Sequence, residues 1–122
     1  MFETIHWRCF ARVADRRAAG RVIGRVETLL SHAVELESYE RYRKFPELAE
    51  LGFVSPLRCP TPETALLTTL QRAWTLASPW AVSGSETGAS HEFEGIASAD
   101  VGARFRVAGI EWMEFRVQVQ PR

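Results

Sequence analysis

The sequence has few cysteines and no net charge. Only Cys9 and Cys59 occur in 122 residues, whereas a disulfide-stapled secreted domain of this size usually carries more. We therefore expect a cytoplasmic protein with free thiols. The 15 basic and 15 acidic residues balance to a formal net charge of zero, and a general nucleic-acid binder needs a basic excess. Nucleic acid is therefore not an expected partner.

Long apolar runs are also missing. No stretch reaches the roughly 18–20 apolar residues that a membrane-spanning helix needs. Residues 1–8 lack the basic start and apolar centre of a signal peptide, so we expect neither a membrane span nor export. The composition, 46% hydrophobic and 25% charged, is that of a globular domain. The length fits one domain covering residues 1–122.

The first half of the chain mixes strand and helix patterns. Apolar and polar residues alternate over residues 2–14, which predicts a half-buried strand. Asp15 then suits a helix N-cap, and apolar residues at helical spacing continue to about residue 33. The inward-facing residues of the predicted strand are Ile5, Trp7, Cys9, Ala11 and Val13.

Three weaker patterns follow. Residues 34–38 alternate as a strand does, and the tract after Tyr39 fits either a strand or a helix. Residues 47–51 predict a short helical turn. Residues 53–57 are apolar, but Pro56 cannot donate a backbone hydrogen bond, which favours an edge strand or a loop.

The second helix has the clearest start signal. Thr61 suits the N-cap, Pro62 the first helical position, and Glu63 the positive end of the helix dipole. Pro79 ends the helix after Ser78. The predicted apolar stripe consists of Leu66, Leu67, Leu70, Ala73, Trp74 and Ala77.

The last third predicts strands only. Residues 80–84 and 91–97 form an expected hairpin, and strands at 104–107 and 110–120 follow. A bulge near Met113 and Glu114 would place five apolar residues on one face; these are Ile110, Trp112, Phe115, Val117 and Val119. The predicted fold is α+β, a mostly antiparallel sheet of five or six strands with two main helices packed on it.

The sequence contains no recognisable metal or cofactor motif. His6, His32 and His91 stand outside the spacings of zinc sites and read as surface residues. Gly20 and Gly24 lie inside a helix pattern rather than in a phosphate-binding loop. We therefore expect neither a metal nor a cofactor.

Two kinds of residue leave catalysis open as an alternative. Cys9 fits a buried strand position. Arg58 could lower the pKa of the neighbouring Cys59 and so favour its reactive thiolate, although the sequence offers no evident base for it. Glu92 and Glu94 share a strand face, where mutual repulsion could raise one pKa and create an acid/base pair. The alternative for Cys59 is a loop thiol without a catalytic role, and the alternative for the two glutamates is the solvated face of a hairpin. We therefore do not expect this protein to be an enzyme.

The balanced total conceals segregated charge. Six arginines against Glu3 and Asp15 give residues 1–26 a charge of +4. Residues 27–50 carry −3, and residues 86–100 carry −4 without one basic residue. If the hairpin pairs with the last strand, its acids and those of that strand share one face that can attract a basic partner. Alternatively, the acids pair with the arginine-rich first helix.

Aromatic residues are further candidates for partner contacts. Trp7, Trp74 and Trp112 fit buried faces, while Trp80, at a strand start, is expected to be partly exposed. Tyr39 and Tyr42 lie among charged residues and form a second candidate patch. The candidate partner-binding residues are Glu86, Glu92, Glu94, Glu111, Glu114, Trp80 and Tyr39.

Residues 80–117 have a characteristic arrangement: a strand that starts at a tryptophan, the segment Glu92-Phe93-Glu94-Gly95-Ile96-Ala97, and Phe105-x-Val107-x-Gly109 followed by Ile110-Glu111-Trp112-Met113-Glu114-Phe115. This arrangement resembles the immunity proteins of bacterial contact-dependent inhibition and related polymorphic toxin systems. It implies a non-enzymatic cytoplasmic protein that binds one cognate toxin domain, often a basic nuclease, and blocks it. In that complex we expect a monomer or a weak homodimer.

Two other classes of function fit the same residues. A small-molecule-binding or enzymatic domain would have a concave pocket between sheet and helices, with polar groups such as His6 or His91 converging in it. A structural subunit of a phage or secretion system would instead assemble into a ring. A solid core would argue against the former, and a monomer in solution against the latter.

Overall fold

The fold is built from two long helices and a mostly antiparallel sheet, which confirms the predicted α+β class. The computed structural model describes residues 2–87 and 90–118. A short 3-10 turn, Ala99–Val101, follows the sixth strand. The elements in chain order are β1 (Phe2–Ala11), α1 (Arg16–Leu30), β2 (Glu35–Arg41), β3 (Ala49–Cys59), α2 (Pro62–Leu76), β4 (Ala77–Ser78), β5 (Ala81–Thr87), β6 (Ser90–Ser98), β7 (Arg104–Phe105) and β8 (Ile110–Gln118).

Six strands form one sheet in the order β2-β3-β1-β8-β6-β5, and every neighbouring pair is antiparallel. The N-terminal strand β1 is therefore central, between β3 and β8. The predicted hairpin is confirmed as β5–β6, and it pairs with β8 as expected. Strands β4 and β7 form a separate two-stranded ladder.

Both helices pack on the same face of this sheet, which we call the inner face. The side chains that alternate inward from β1, β3 and β8 share one core with the buried residues of α1 and α2. At its centre the Trp7 ring stacks on Phe53 at 6.0 Å and meets Phe115 edge-on at 6.0 Å. The Trp7 Nε1–H donates to Ser55 Oγ at 3.0 Å, so the buried indole donor is satisfied.

Both predicted helix starts are confirmed. The Asp15 carboxylate accepts from the Ala18 backbone N–H at 2.8 Å, and the Thr61 hydroxyl accepts from that of Thr64 at 3.2 Å. Helix α1 ends at Leu30, three residues earlier than predicted. The reason is Ser31, whose left-handed backbone (φ 57°) closes the last turn by donating to Glu27 O.

The predicted apolar stripe of α2 is right for Ala73, Ala77 and the core-packed Leu70, but wrong for Leu67 and Trp74. The buried residues of this helix are Ala65, Thr69, Ala73 and Leu76, whereas Leu67 is 62% and Trp74 52% exposed. Three of these four buried side chains are small, which lets α2 lie close to β3, whereas Leu67 and Trp74 point outward. The expectation that Trp74 is buried is therefore wrong.

The helical turn predicted for residues 47–51 is wrong, because Ala49–Cys59 is one long strand, β3. The edge position predicted around Pro56 is met locally, since β3 pairs with β2 only as far as Val54 and beyond it with β1 alone. The β3 backbone pairs with β1 on one side and with β2 on the other, and its side chains alternate between buried and partly exposed positions. Pro56 fits because it lies beyond Val54, the last β3 residue that pairs with β2.

The bulge in β8 lies nearer its start than predicted. The register with β1 shifts between Ile110, opposite Ala11, and Trp112, opposite Phe10. Ile110, Met113, Phe115 and Val117 are therefore buried, while Trp112 turns to the opposite face beside Phe10. Val119, the last residue of the predicted stripe, lies outside the described residues.

Candidate functional site

The face of the sheet opposite the helices, here called the outer face, carries most of the predicted acidic residues. Strand alternation places Arg8 of β1 and Glu114 of β8 there, since each lies between buried neighbours. Glu92 and Glu94 of β6 join them through the β6–β8 register. The expectation that the hairpin acids and those of the last strand share one face is met for these three glutamates.

Arginines of the same sheet accompany these acids. Arg116 lies opposite Glu94 in the ladder, and its guanidinium is 3.7 Å from Glu94 and 3.5 Å from Glu92. Arg8 lies opposite Glu114 and is 3.7 Å from that carboxylate and 3.3 Å from Glu50 of β3. Cross-strand pairing therefore determines which charges meet.

The intramolecular partners differ from the predicted alternative, in which the arginines of the first helix pair with the acids. The described ion pairs involve Arg8, Arg116 and Arg12, the last of which lies 3.1 Å from Glu111. Exposed pairs of this kind contribute about 0–1 kcal/mol to stability. Their main consequence is that part of the negative charge of the outer face is locally compensated.

One end of the outer face holds four aromatic rings, here called the aromatic cluster: Phe10, Tyr42, Phe45 and Trp112. Phe10 stacks on Tyr42 at 4.6 Å between ring centroids and packs against Trp112 at 5.1 Å. Phe45 meets Tyr42 edge-on at 5.9 Å and is 46% exposed. The guanidinium of Arg8 lies 5.0 Å from the Trp112 ring, within reach of a cation–π contact.

A groove of about 400 Å³ runs beside the aromatic cluster and is here called the acidic groove. Its charged lining comprises the carboxyl-bearing Glu47, Asp100 and Glu111 and the guanidinium of Arg12. Three carboxylates against one guanidinium leave it with a net charge of −2. Glu47 comes from the β2–β3 loop, Asp100 from the 3-10 turn, and Glu111 from the bulge of β8.

Arg41 holds the β2–β3 loop in place. Its guanidinium donates to the carbonyls of Val13 at 2.7 Å and Ala14 at 2.8 Å, which follow β1. It also donates to the Tyr39 hydroxyl at 2.7 Å. A loop bond from the Tyr42 N–H to Leu48 O at 2.9 Å completes the arrangement. The tract after Tyr39 therefore continues as strand to Arg41 and then folds toward the outer face.

The two predicted aromatic anchors lie away from the acidic groove. Tyr39 is half-buried against the core, with the Arg16 guanidinium 5.9 Å from its ring. Trp80 is only 8% exposed, so the expectation of partial exposure is wrong. Its Nε1–H donates to Ala73 O at 2.9 Å and Ala77 O at 2.8 Å, which binds it to the end of α2.

The predicted acids divide into three groups. Glu111 lines the acidic groove, while Glu92, Glu94 and Glu114 lie elsewhere on the outer face. Glu86 is opposite His91 in the hairpin register, but its side chain lies outside the described part of the chain. The structure therefore brings one predicted acid to the groove and adds Glu47 and Asp100.

A sequence signal for part of the aromatic cluster existed. Phe10 falls on the polar side of the β1 alternation, and an aromatic residue out of phase in this way requires a partner on the outer face. Trp112 was predicted to face inward, but the β8 bulge places it on the outer face. Phe45, Glu47 and Asp100 belong to loop or turn segments whose positions local patterns do not determine.

Both cysteines lie in the hydrophobic core. Both are free and buried. Burial raises the pKa of the Cys9 thiol to about 12, which keeps it protonated. Cys59 ends β3 rather than lying in a loop, and its Sγ is 3.6 Å from Leu57 O and 3.7 Å from Thr68 Oγ1. Neither contact provides a base.

The histidines do not converge on a pocket. His6 is exposed on the outer face, while His91 packs edge-on against Phe2 at 6.5 Å. A cavity of about 560 Å³ lies at the open edge of β3, beside Glu35 and Arg58, and neither histidine lines it. Within residues 2–87 and 90–118, no three His, Cys, Asp or Glu side chains are placed to hold a metal ion.

Comparisons with known proteins add no assignment. No family model matches the sequence, and neither a curated protein nor a solved structure shows significant similarity to the chain. None of the helices in the described part of the chain is both long and apolar enough to cross a membrane. The candidate site is therefore defined by its own geometry, an aromatic cluster beside an acidic groove on a face that the helices leave uncovered.

Proposed function

We propose that this chain is a bacterial immunity protein that binds and neutralises a cognate toxin domain in the cytoplasm, without catalysis. The observation that carries the proposal is the contact between the aromatic cluster and the acidic groove on the outer face. Interface hot spots combine aromatic anchors with a polar rim that excludes water. The Tyr42 and Trp112 rings supply the anchors, and Glu47, Asp100 and Glu111 supply the rim.

The charge of the groove specifies a basic partner. A lysine or arginine inserted between Glu47 and Asp100 would replace solvent with charge-assisted hydrogen bonds. The same cation would lie near Tyr42 or Phe45, whose rings attract positive charge. A nuclease toxin binds nucleic acid through basic residues. Covering those residues would block its substrate surface, so inhibition needs no chemistry from the immunity protein.

The sequence resemblance of residues 80–117 supports the same class of function. Within that stretch lie Glu111 and Trp112, which join the candidate site, and Asp100, which lines the groove. The other half of the site comes from Phe10 and the β2–β3 loop. A binding surface assembled in this way from distant segments suits recognition of one specific partner rather than of a short peptide motif.

The first test is the identity of the partner. The probe is the C-terminal domain of the protein encoded immediately upstream of this chain, purified and titrated by calorimetry. We expect a 1:1 complex and protection of growth when both are expressed together. An upstream protein without a toxic C-terminal domain, or a toxic domain that does not bind, would overturn the proposal.

The second test locates the interface. The double variant Glu47→Lys/Asp100→Lys should weaken the complex about tenfold or more, because it reverses two rim charges. Glu37→Lys/Glu63→Lys is the control, since it changes the net charge equally at exposed positions outside the groove. Association of the native protein should slow as salt is added. Equal loss of affinity in both double variants would reject the groove as the interface.

A further inference from the structure

A second groove, of about 490 Å³, lies on the helix side of the molecule and is here called the arginine groove. The half-buried Leu29 lines it with apolar surface above the buried Val107, and three arginines line it with positive charge: Arg21, Arg25 and Arg106. Two of them come from α1 and the third from the loop before β8. Because α1 packs on the inner face, this groove lies across the sheet from the acidic groove.

These three arginines are not neutralised within the described part of the chain. The ion pairs there involve Arg8, Arg12 and Arg116, and no carboxylate comes within 4 Å of Arg21, Arg25 or Arg106. Grouping like charges around a concave surface costs free energy when no anion is bound. The cost is relieved when an anion binds, and a guanidinium can hold a carboxylate with two parallel hydrogen bonds.

Gly24 keeps the arginine groove open. A glycine inside a helix costs about 1 kcal/mol relative to alanine. Internal packing does not require it, because a Cβ at Gly24 would meet no atom within 4 Å. The residue lines the groove together with Arg21 and Arg25 of the same helix. A side chain there would occupy the space that a ligand would use.

We infer that the arginine groove binds an acidic, partly apolar polypeptide segment, independently of the proposed toxin site. Carboxylates would pair with Arg21, Arg25 and Arg106, and apolar side chains would lie on Leu29. Nucleic acid fits less well, because the zero net charge and the acidic outer face oppose a polyanion. A phosphate backbone would also leave the apolar floor unused.

The test uses the protein alone, so its result is separate from that of the toxin experiments. The probe is a short fluorescein-labelled peptide of alternating Glu and Leu, followed by fluorescence anisotropy. Arg21→Gln/Arg25→Gln should weaken its binding about tenfold, equivalent to ~1.4 kcal/mol. The control is Arg17→Gln/Arg43→Gln, which removes two exposed arginines that do not line the groove.

Two further comparisons separate shape from charge. Gly24→Leu keeps every arginine and introduces a residue that favours helix. Loss of peptide binding with an unchanged far-UV circular dichroism spectrum would therefore support the groove as the binding site. The corresponding Gln-Leu peptide should not bind. The inference is overturned if the acidic peptide fails to bind, if the control variant loses as much affinity, or if oligothymidylate binds as tightly as the peptide. It is also overturned if sedimentation without peptide shows self-association that Arg21→Gln/Arg25→Gln abolishes.

Discussion

Phe10 and Tyr42 stack with their ring centroids 4.6 Å apart, although Phe10 is the penultimate residue of the central strand and Tyr42 begins a loop 32 positions later. The stack draws the β2–β3 loop toward the outer face, beside Trp112 and the acidic groove. Aromatic pairs of this kind stabilise a structure by about 0.5–1.5 kcal/mol beyond the burial of their area. This contact therefore helps both to fold the loop and to build the candidate interface.

The aromatic cluster yields the first prediction. Tyr42→Ala should weaken the toxin complex about tenfold or more, because it removes a central ring of the proposed anchor. Binding is measured by calorimetry with the upstream toxin domain. Trp74→Ala is the matched control, since Trp74 is 52% exposed on α2, on the helix side of the sheet. If the Trp74 variant lost affinity and the Tyr42 variant did not, the interface would lie on the helix side.

The acids of β6 yield the second prediction. Glu92→Lys/Glu94→Lys leaves Arg116 without its two carboxylates and adds two like charges near it. We expect a toxin affinity reduced about tenfold or more if the interface extends along β6. The thermal midpoint should change little, since exposed ion pairs contribute about 0–1 kcal/mol. Unchanged affinity would confine the interface to the aromatic cluster and the acidic groove.

Two glycines should respond in opposite directions to alanine. A Cβ at Gly95 would overlap the buried Phe115 ring, so Gly95→Ala should destabilise the fold by about 1–3 kcal/mol. Gly24→Ala should stabilise it by about 1 kcal/mol, because the new methyl meets nothing within 4 Å and alanine favours helix. Urea unfolding measures both. A stabilised Gly95→Ala protein would contradict the packing of β6 on β8.

Ionisation of the Cys9 thiol should make the free energy of unfolding depend on pH. Its pKa is raised by burial from 9.0 to about 12, so between these values the unfolded chain releases the proton and the folded chain keeps it. The associated stability is complete below pH 9 and is lost as the pH rises toward 12, by up to about 1.4 kcal/mol per pH unit. Unfolding free energies of wild type and Cys9→Ala should therefore converge above pH 9. Parallel curves would contradict this assignment.

Local patterns identify elements well where the signal is confined to neighbouring residues. The side chains of Asp15 and Thr61 satisfy amides a few residues away, so both helix starts were predictable. The alternation in β1 follows from burial of one sheet face. Pro56 marked an open edge correctly, but the sequence did not show that the strand before it lies between β1 and β2, because that depends on pairing with distant segments.

The predicted burial of Leu67 and Trp74 on α2 failed for a related reason. Hydrophobicity alone places Leu67 and Trp74 inside, but the close approach of the helix to β3 admits mainly small side chains such as Ala65 and Ala73. Trp80 shows the converse, since the carbonyls of Ala73 in α2 and of Ala77 directly after it accept from its indole and allow it to be buried. Each outcome depends on which element lies opposite.

The sequence by itself determined the α+β class, the helix starts, the hairpin and the segregation of charge, because each depends on residues near one another in the chain. Only the tertiary structure decided which charges meet. The sheet order sets Arg116 beside Glu94 and Arg8 beside Glu114, and leaves the arginines of α1 on the other side. It also brings Phe10, Tyr42 and Trp112 together, since contacts between distant segments follow from strand pairing and burial rather than from local preference.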